Sequence, residues 1–317
     1  MKSKKILILG GTGALGKTLA RRYHENNEII IFSRSEHNHV NMKREFPNAI
    51  YQIGDIREKT SIVSTLNKYK PDVVIDAAAL KHVPICEDHP FESIKTNVLG
   101  HQNVIESFHD AKHQVESVVF VSTDKACNPV NVYGMCKSLS EKNFINFAKN
   151  QKDIKVIVCR YGNVLESTGS VIPLFKKLLE EKRDFLPITN DQMTRFLLTL
   201  DQSVDLIEWA YSHSQTHGNV VVPKIKALKV IDIAKALGKH YGHSDIRTEI
   251  VGIRPGEKIH EEMVSFEESL QTQTFEKYLM ITNDKIRSEN EGFSFSSDKN
   301  LMTSDQAYNF LRECRVI

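Results

Sequence analysis

Ile6-Leu7-Ile8-Leu9-Gly10-Gly11-Thr12-Gly13-Ala14-Leu15-Gly16 is the stretch on which the fold turns. Four aliphatic residues in a row read as a short buried strand, and Lys17 to His24 reads as a helix. The glycines between them fall as G-x-x-G-x-x-G. Glycine permits the tight turn and lets backbone N–H groups approach a pyrophosphate at the positive end of the helix. A glycine pattern by itself is weak, but this one has a strand before it and a helix after it. Gly10, Thr12, Gly13, Ala14, Leu15 and Gly16 are therefore the expected floor of a dinucleotide site.

Working outward, Glu28 to Phe32 reads as a second strand. Its end is where an acidic residue would hold the ribose 2′-hydroxyl of NAD. This chain has Ser33-Arg34-Ser35 there, which suits a 2′-phosphate, so NADP is preferred to NAD; Glu36 is near enough to serve a hydroxyl. Ala49 to Ile53 is a third strand, and Asp55 after it reaches an adenine amino group or caps the next helix. Asp72 to Asp76 is a fourth, ending in Ala77-Ala78-Ala79, small enough for a cofactor ring to lie against backbone. Lys81 follows at the same sheet edge, reaching for substrate or simply solvated. Phe91 to Ala111 reads as one long helix containing Asn97.

Val118 to Val121 is a fifth strand, and Ser122-Thr123-Asp124-Lys125-Ala126 sits at its end, where open α/β sheets bind ligands. Tyr133 and Lys137 are four apart at the start of a helical segment and share a face. A cation beside a phenol favours the phenolate and lowers its pKa. Such a tyrosine takes a proton from a substrate hydroxyl while a cofactor removes hydride. Alone, Tyr-x-x-x-Lys is an ordinary surface pair; the N-terminal signature gives it weight.

Alternating strands and helices through residue 150 call for a parallel sheet with right-handed crossovers. The expected fold is α/β: a Rossmann-like doubly wound parallel sheet with a smaller C-terminal α/β substrate lobe. Residues 1–165 are assigned to the dinucleotide-binding domain and 166–317 to the lobe, partly interleaved with it. Ile154 to Cys159 is a sixth strand; beyond it Pro173, Pro187, Pro223 and Pro255 cut the chain into shorter elements. Asn219 to Val222 reads as a strand, Leu228 to Tyr241 as an amphipathic helix, and Ile253 to Lys258 as a turn before another helix. Arg195, Arg254 and Lys258 are candidates for a substrate diphosphate. Residues 284–300 are polar and carry few structure signals.

The totals agree with a soluble globular protein: 317 residues, 40% apolar, 26% charged and a net charge of +2. That charge gives no case for nucleic acid or membrane. No apolar run reaches the ~18 residues of a membrane span. Five scattered cysteines point to reduced thiols and a cytoplasmic setting. Cys127 and Cys136 lack metal-ligand spacing, and no metal is expected.

Together these stretches resemble the extended short-chain dehydrogenase/reductase family acting on nucleotide sugars, and within it the soluble inverting UDP-N-acetylglucosamine 4,6-dehydratases, which begin pseudaminic acid, N-acetyl-L-fucosamine or N-acetyl-L-rhamnosamine pathways. The resemblance runs from Gly10 to about Val264. It is carried by Ala77 to Pro84, Lys95-Thr96-Asn97, Ser122 to Ala126, Asn128 to Gly134, Arg160 to Val164, Gly169 to Pro173, Met193 to Phe196 and Arg254 to Lys258. Met135-Cys136 departs from the small residues common between the Tyr and the Lys. Retaining dehydratases carry a membrane-spanning N-terminal part and usually Met at the position of Tyr133; this sequence shows neither feature.

The resemblance implies a UDP-N-acetylglucosamine substrate, a tightly bound NADP regenerated at every turnover, and a homo-oligomer. It adds Ile56 and Asn97 to the cofactor residues and Asn163, Val171 and Glu257 to Lys81, Thr123, Arg195 and Arg254 on the substrate side. It makes Lys125 the base at C5 and Asp124 the acid at C6, with Tyr133 and Lys137 serving C4 oxidation and Thr123 bonding O4. Lysine as a base asks for a pKa some ~3 units below the ordinary ~10.4, and burial beside Lys137 is expected to supply it. Asp124 must start protonated although a cation adjoins it. The rival readings are a retaining dehydratase, a C4 epimerase, which has no need of the 124–125 pair, and a non-catalytic NADP sensor.

Overall fold

A computed structural model of the chain describes residues 1–165, 169–243, 245–283 and 291–317. Its parallel strands are β1 (Lys5–Leu9), β2 (Glu28–Ser33), β3 (Ile50–Ile53), β4 (Val73–Asp76), β5 (Ser117–Val121) and β6 (Lys155–Cys159). β7 (Val220–Pro223), β8 (Thr272–Thr274) and β9 (Tyr278–Ile281) complete one nine-stranded sheet in the order β8-β9-β7-β6-β5-β4-β1-β2-β3. β7 runs parallel to β6, whereas β9 and β8 are antiparallel additions at that edge. Aliphatic, largely β-branched runs such as Ile6 to Leu9 and Val118 to Phe120 are fully buried, as strands covered on both faces must be.

β1 pairs with β2 on one side and β4 on the other. The winding reverses there, so a crevice opens at the carboxyl ends of β1 and β4. Helix α1 (Ala14–Tyr23) leaves β1 through the glycine turn. It starts at Ala14, three residues before the expected start, because the extended Gly13 already closes the turn.

The long helix expected over Phe91 to Ala111 is three pieces: α2 (Pro90–Ile94), a π-helical turn (Lys95–Gly100) and α3 (His101–Asp110). Such turns widen a helix locally and recur at functional sites. Here the turn aims Asn97 at Leu80, whose N–H and C=O both bond the Asn97 amide, at 2.9 and 2.8 Å. α4 (Val132–Asn150) then crosses behind the turn, with the Ser140 hydroxyl donating to the Asn97 carbonyl at 2.5 Å.

A second core is built by α5 (Val171–Glu180), α6 (Val230–His240) and α7 (Ser304–Glu313), which bury Phe175, Leu179, Ile233, Leu237 and Leu311 against each other. Each such side chain contributes about 1.5–3 kcal/mol on burial. The chain passes between the two cores more than once. The strand expected at Asn219 to Val222 belongs to the large sheet as β7, and residues 272–281 return to it. The turn at Ile253 to Lys258 leads to a strand, Glu262–Val264, paired with Phe295–Ser296, instead of a helix. The expectation for 284–300 lies partly outside the described residues, since 284–290 are not among them.

Candidate active site

A cleft of about 730 Å³ runs along the carboxyl edge of the sheet and between the two cores. At its floor Gly10 has φ +75°, and a Cβ there would lie 2.8 Å from the Ala78 Cα, so only glycine lets the first turn close on the fourth. No side chain caps α1, and its first turn has no acidic residue. Its leading N–H groups are therefore donors aimed at the cleft, which suits a pyrophosphate.

Beyond β2, the Thr12 hydroxyl donates to Ser33 Oγ at 2.9 Å, and Ser33 Oγ lies 2.6 Å from His39 Nε2. Arg34 is half-exposed on the cleft wall, 3.9 Å from Asp55. Asp55 accepts from Arg57 through both its backbone N–H, at 3.0 Å, and its guanidinium, at 2.6 and 2.8 Å. Burial pushes the Asp55 carboxyl up, but those bonds outweigh it and hold it below the usual range. The N-cap position of the following helix is Glu58, which makes no side-chain capping bond, so Asp55 does not cap it; it closes its own turn and fronts the cleft. Ile56, Ala77, Ala78, Ala79 and Lys81 line the same wall. Asn97 does not. It is wholly buried and shapes the wall from behind by clamping Leu80.

The chemical end of the cleft is made by β5 and α4. After β5 the chain is held by the Ser122 N–H on the Cys159 carbonyl (2.7 Å) and the Asp124 N–H on the Tyr161 carbonyl (2.9 Å). Asp124–Ala126 then forms one 3₁₀ turn capped by Thr123. Asn131 caps α4, accepting from the Gly134 N–H at 2.7 Å, and its amide donates to the Gly256 carbonyl at 2.8 Å. That second bond ties the helix start to the Arg254–Lys258 loop.

Thr123, Asp124, Lys125, Tyr133 and Lys137 all line this end. Lys137 donates to the Val121 carbonyl at 2.6 Å and lies 3.9 Å from the centre of the Phe120 ring. Burial lowers its pKa to about 8. Burial drives the Tyr133 phenol the other way, up to about 12, against the pull of Lys125 and a bond from Thr123. The phenolate expected from the Tyr133–Lys137 spacing is therefore disfavoured in this cleft. The cation that acts on the phenol is Lys125, and Lys137 spends its proton on the backbone.

Asp124 is completely buried; its Oδ1 accepts from the Thr123 hydroxyl and the Lys125 ammonium, both at 3.0 Å. Burial raises its pKa, Glu261 adds to the rise, and Lys125 opposes it. Lys125 Nζ also lies 3.3 Å from Glu261 Oε1 and donates to Asn163 Oδ1 at 3.4 Å. Burial alone would lower the Lys125 pKa, but Asp124 and Glu261 overcome it and raise it. This reverses the expected lowering, because two carboxylates face the ammonium and Lys137 is turned elsewhere.

On the opposite wall Asn163, Val171, Arg195, Arg254 and Glu257 line the cleft. Arg195 donates to the Thr194 and Ile259 carbonyls at 2.8 and 3.2 Å and sits 3.8 Å from Glu261. Arg254 is exposed, 3.9 Å from Glu257. Lys258 is outside the cleft lining and donates to the Cys127 carbonyl at 2.8 Å.

Two features escaped the sequence reading. One is Glu261, at the end of the Arg254–Lys258 loop. The other is Arg160, wholly buried, whose guanidinium grips Glu141 at 2.6 and 3.0 Å and Glu268 at 2.7 and 2.8 Å. The Ser122 hydroxyl donates to Glu141 at 2.5 Å, so this ion network anchors the base of the Thr123–Lys125 turn. The motif around Arg160 was visible; its distant partners were not. Among the described residues no three His, Cys, Asp or Glu are grouped to hold a metal, and no helix is long and apolar enough to cross a membrane.

Residues 6–283 match the family described as polysaccharide biosynthesis protein. The chain is 42% identical over 323 aligned residues to a UDP-N-acetylglucosamine 4,6-dehydratase (inverting) of Campylobacter jejuni, covering 94% of this chain and 93% of that one. It is 39% identical over 291 residues to a UDP-glucose 4-epimerase of Rickettsia canadensis, covering 89% and 83%. The X-ray structure of Pen from Bacillus thuringiensis superposes with a TM-score of 0.90 at 32% identity, covering 100% of this chain and 99% of that one.

Proposed function

The chain belongs to the polysaccharide biosynthesis protein family, and from that membership we propose that it is a UDP-N-acetylglucosamine 4,6-dehydratase, a lyase that inverts C5 and yields UDP-2-acetamido-2,6-dideoxy-β-L-arabino-hex-4-ulose. The observation that carries this reading is the buried acid–base pair, Asp124 and Lys125, set beside Tyr133 in one cleft. The named Campylobacter relative supports it.

The uncapped start of α1 and the close approach of Gly10 to Ala78 suit a nicotinamide dinucleotide. Arg34 with Ser33 and Thr12 favours NADP, since a guanidinium matches phosphate oxygens and Asp55 is already held by Arg57. Held there, NADP would supply reversible hydride chemistry at C4 and C6 with no net redox.

The chain's own residues handle the protons. Tyr133 acts as its phenolate, the form toward which Lys125 pulls it, and takes the O4 proton while Thr123 bonds that oxygen. Lys125 takes the C5 proton, made acidic by the C4 ketone. The C5–H electron pair becomes the C5–C6 double bond, Asp124 protonates the departing C6 hydroxyl, and water leaves. A proton then returns to the opposite face of C5; Tyr133 and Lys81 both line the cleft as donors. Arg195 and Arg254 are placed to hold the UDP diphosphate, with Asn163, Val171 and Glu257 around the sugar.

Five free thiols fit a cytoplasmic enzyme. The apolar surface at Phe91, Leu99, Met135 and Leu139, each at least half-exposed on adjoining helices, favours a homo-oligomer. Light scattering giving one chain per particle would refute that assembly.

Relatives named UDP-glucose 4-epimerase favour a second reading. An epimerase needs Tyr133 and a cofactor but has no task for a buried acid–base pair. Mass spectrometry of the product separates the two: the dehydratase product is lighter by one water, and an epimerase product has the mass of its substrate.

A further inference from the structure

Asp124 and Lys125 raise a problem of proton ownership. An aspartate whose only neighbour were an ammonium would ionise, and an ionised carboxyl cannot protonate a leaving hydroxyl. The structure holds a third group. Glu261 is 2% exposed, with Oε1 3.3 Å from the Lys125 ammonium. Its backbone is fixed: its N–H donates to Ser297 Oγ at 2.8 Å, and its carbonyl accepts the Ser297 N–H at 2.8 Å. Ser297 Oγ in turn lies 2.6 Å from Thr194 Oγ1. The carboxylate is therefore aimed at Lys125 by the pairing of the strands Glu262–Val264 and Phe295–Ser296.

The charged groups facing Glu261 are Lys125 and Asp124 from the 3₁₀ turn, Arg195 from the strand Thr194–Leu198, and Lys258 from the loop before it. Three of these are cations, and they hold the Glu261 carboxyl below the usual range despite burial. Asp124 has one cation near it, a second carboxylate beyond, and complete burial. Its Oδ2 is buried without a partner among the described residues. Two carboxyls around one ammonium in a dry site cannot both stay ionised cheaply, and the proton goes to the one with fewer cations.

We propose that Glu261 is a positioning residue that serves Lys125 as counterion, so that Asp124 keeps the proton it gives to the C6 hydroxyl. The role rests on the dehydratase reading; the protonation pattern it requires belongs to the protein alone. The proton count closes. Lys125 first releases its ammonium proton to the solvent of the cleft and, now neutral, takes the C5 proton, with Glu261 as counterion to the ammonium that forms. Asp124 gives its own proton to O6, the C6–O bond breaks and water leaves. Lys125 then passes the C5 proton to Asp124, 3.0 Å away, so that both are ready for the next turnover.

The test is an infrared titration of the full chain carrying carboxyl-labelled aspartate, with Asp124→Asn identifying the Asp124 band. The expected result is a neutral Asp124 carboxyl that persists well above the ordinary aspartate midpoint. Glu261→Gln should move that midpoint down by about one pH unit or more, a tenfold change in proton affinity, and Glu261→Asp should largely preserve it. In turnover, Glu261→Gln should lower kcat at least ~10-fold while KM stays within about threefold. An Asp124 that ionises at the ordinary midpoint in the parent, or a midpoint unmoved in Glu261→Gln, overturns the proposal; the first needs no Glu261 variant to fold. A normal titration with no dehydration by the parent would instead sink the dehydratase reading and the catalytic role together.

Discussion

Gly134 packs directly on the backbone of Lys125. A Cβ at position 134 would lie 2.2 Å from the Lys125 carbonyl oxygen, a contact no side chain tolerates. Helix α4, which carries Tyr133 and Lys137, is thereby pressed against the 3₁₀ turn that carries Asp124 and Lys125. The phenol and the acid–base pair share one cleft because nothing stands between these two backbones.

Gly134→Ala should therefore damage the site before it unfolds the protein. Overpacking of this kind costs ~1–3 kcal/mol, and the turn or the helix start must shift. We expect a folded variant with a lowered melting temperature and at least ~10-fold lower turnover, since small displacements of reacting groups are amplified. Lys142→Ala, at an exposed position on the same helix, should match the parent in both respects. Full turnover by Gly134→Ala would show that the packing is not needed.

Lys137→Met tests the buried ammonium through stability. The folded chain holds the Lys137 proton with a pKa of about 8, against 10.5 for an ordinary lysine. The folded state thus binds that proton more weakly than the unfolded one, so its stability is penalised below pH 8 and recovers as pH rises toward 10.5. The full shift corresponds to ~3 kcal/mol, and loss of the bond to the Val121 carbonyl takes back ~1 kcal/mol. Urea unfolding should show Lys137→Met inactive yet about 1–2 kcal/mol more stable than the parent at pH 7, with the difference shrinking by pH 9.5. A variant less stable at both pH values would contradict this.

Arg34 should set cofactor preference. A charged hydrogen bond to a phosphate contributes about 1.5–3 kcal/mol, so Arg34→Ala should weaken NADP binding ~10- to 100-fold. NAD affinity should change little. Fluorescence titration with both cofactors checks this, and equal losses for NAD and NADP would argue against a 2′-phosphate contact.

Lys125→Ala should abolish dehydration by ~100-fold or more while NADP binds as in the parent. Lys125 is not the base of C4 oxidation, so reduced-cofactor absorbance should still build up on addition of UDP-N-acetylglucosamine, more slowly because the phenol loses the cation that acts on it. Normal product formation would remove Lys125 from the base role.

What the sequence could reveal was set by distance along the chain. The glycine turn, the strand–helix alternation and the Tyr133–Lys137 spacing are local, and their physics is contained in a few consecutive residues. The π-helical turn at Lys95–Gly100 was not legible, because Asn97 is drawn to Leu80 and Ser140 by contacts outside its own helix. The raised pKa values of Lys125 and Tyr133 were not legible either. That of Tyr133 depends on burial, and that of Lys125 on Asp124 and on Glu261, which lies far along the chain. The place of β7 in the large sheet was not legible for the same reason: its pairing with β6 is set by topology, and Val220 to Val222 alone gives no sign of its neighbour.

The most direct test of the account is proton NMR of the purified protein with UDP-N-acetylglucosamine in deuterated water. We predict a 4-keto-6-deoxy product of L-arabino configuration with deuterium at C5. A product of unchanged mass, epimeric at C4 and without deuterium at C5, would contradict the account and leave Asp124, Lys125 and Glu261 without the roles assigned to them.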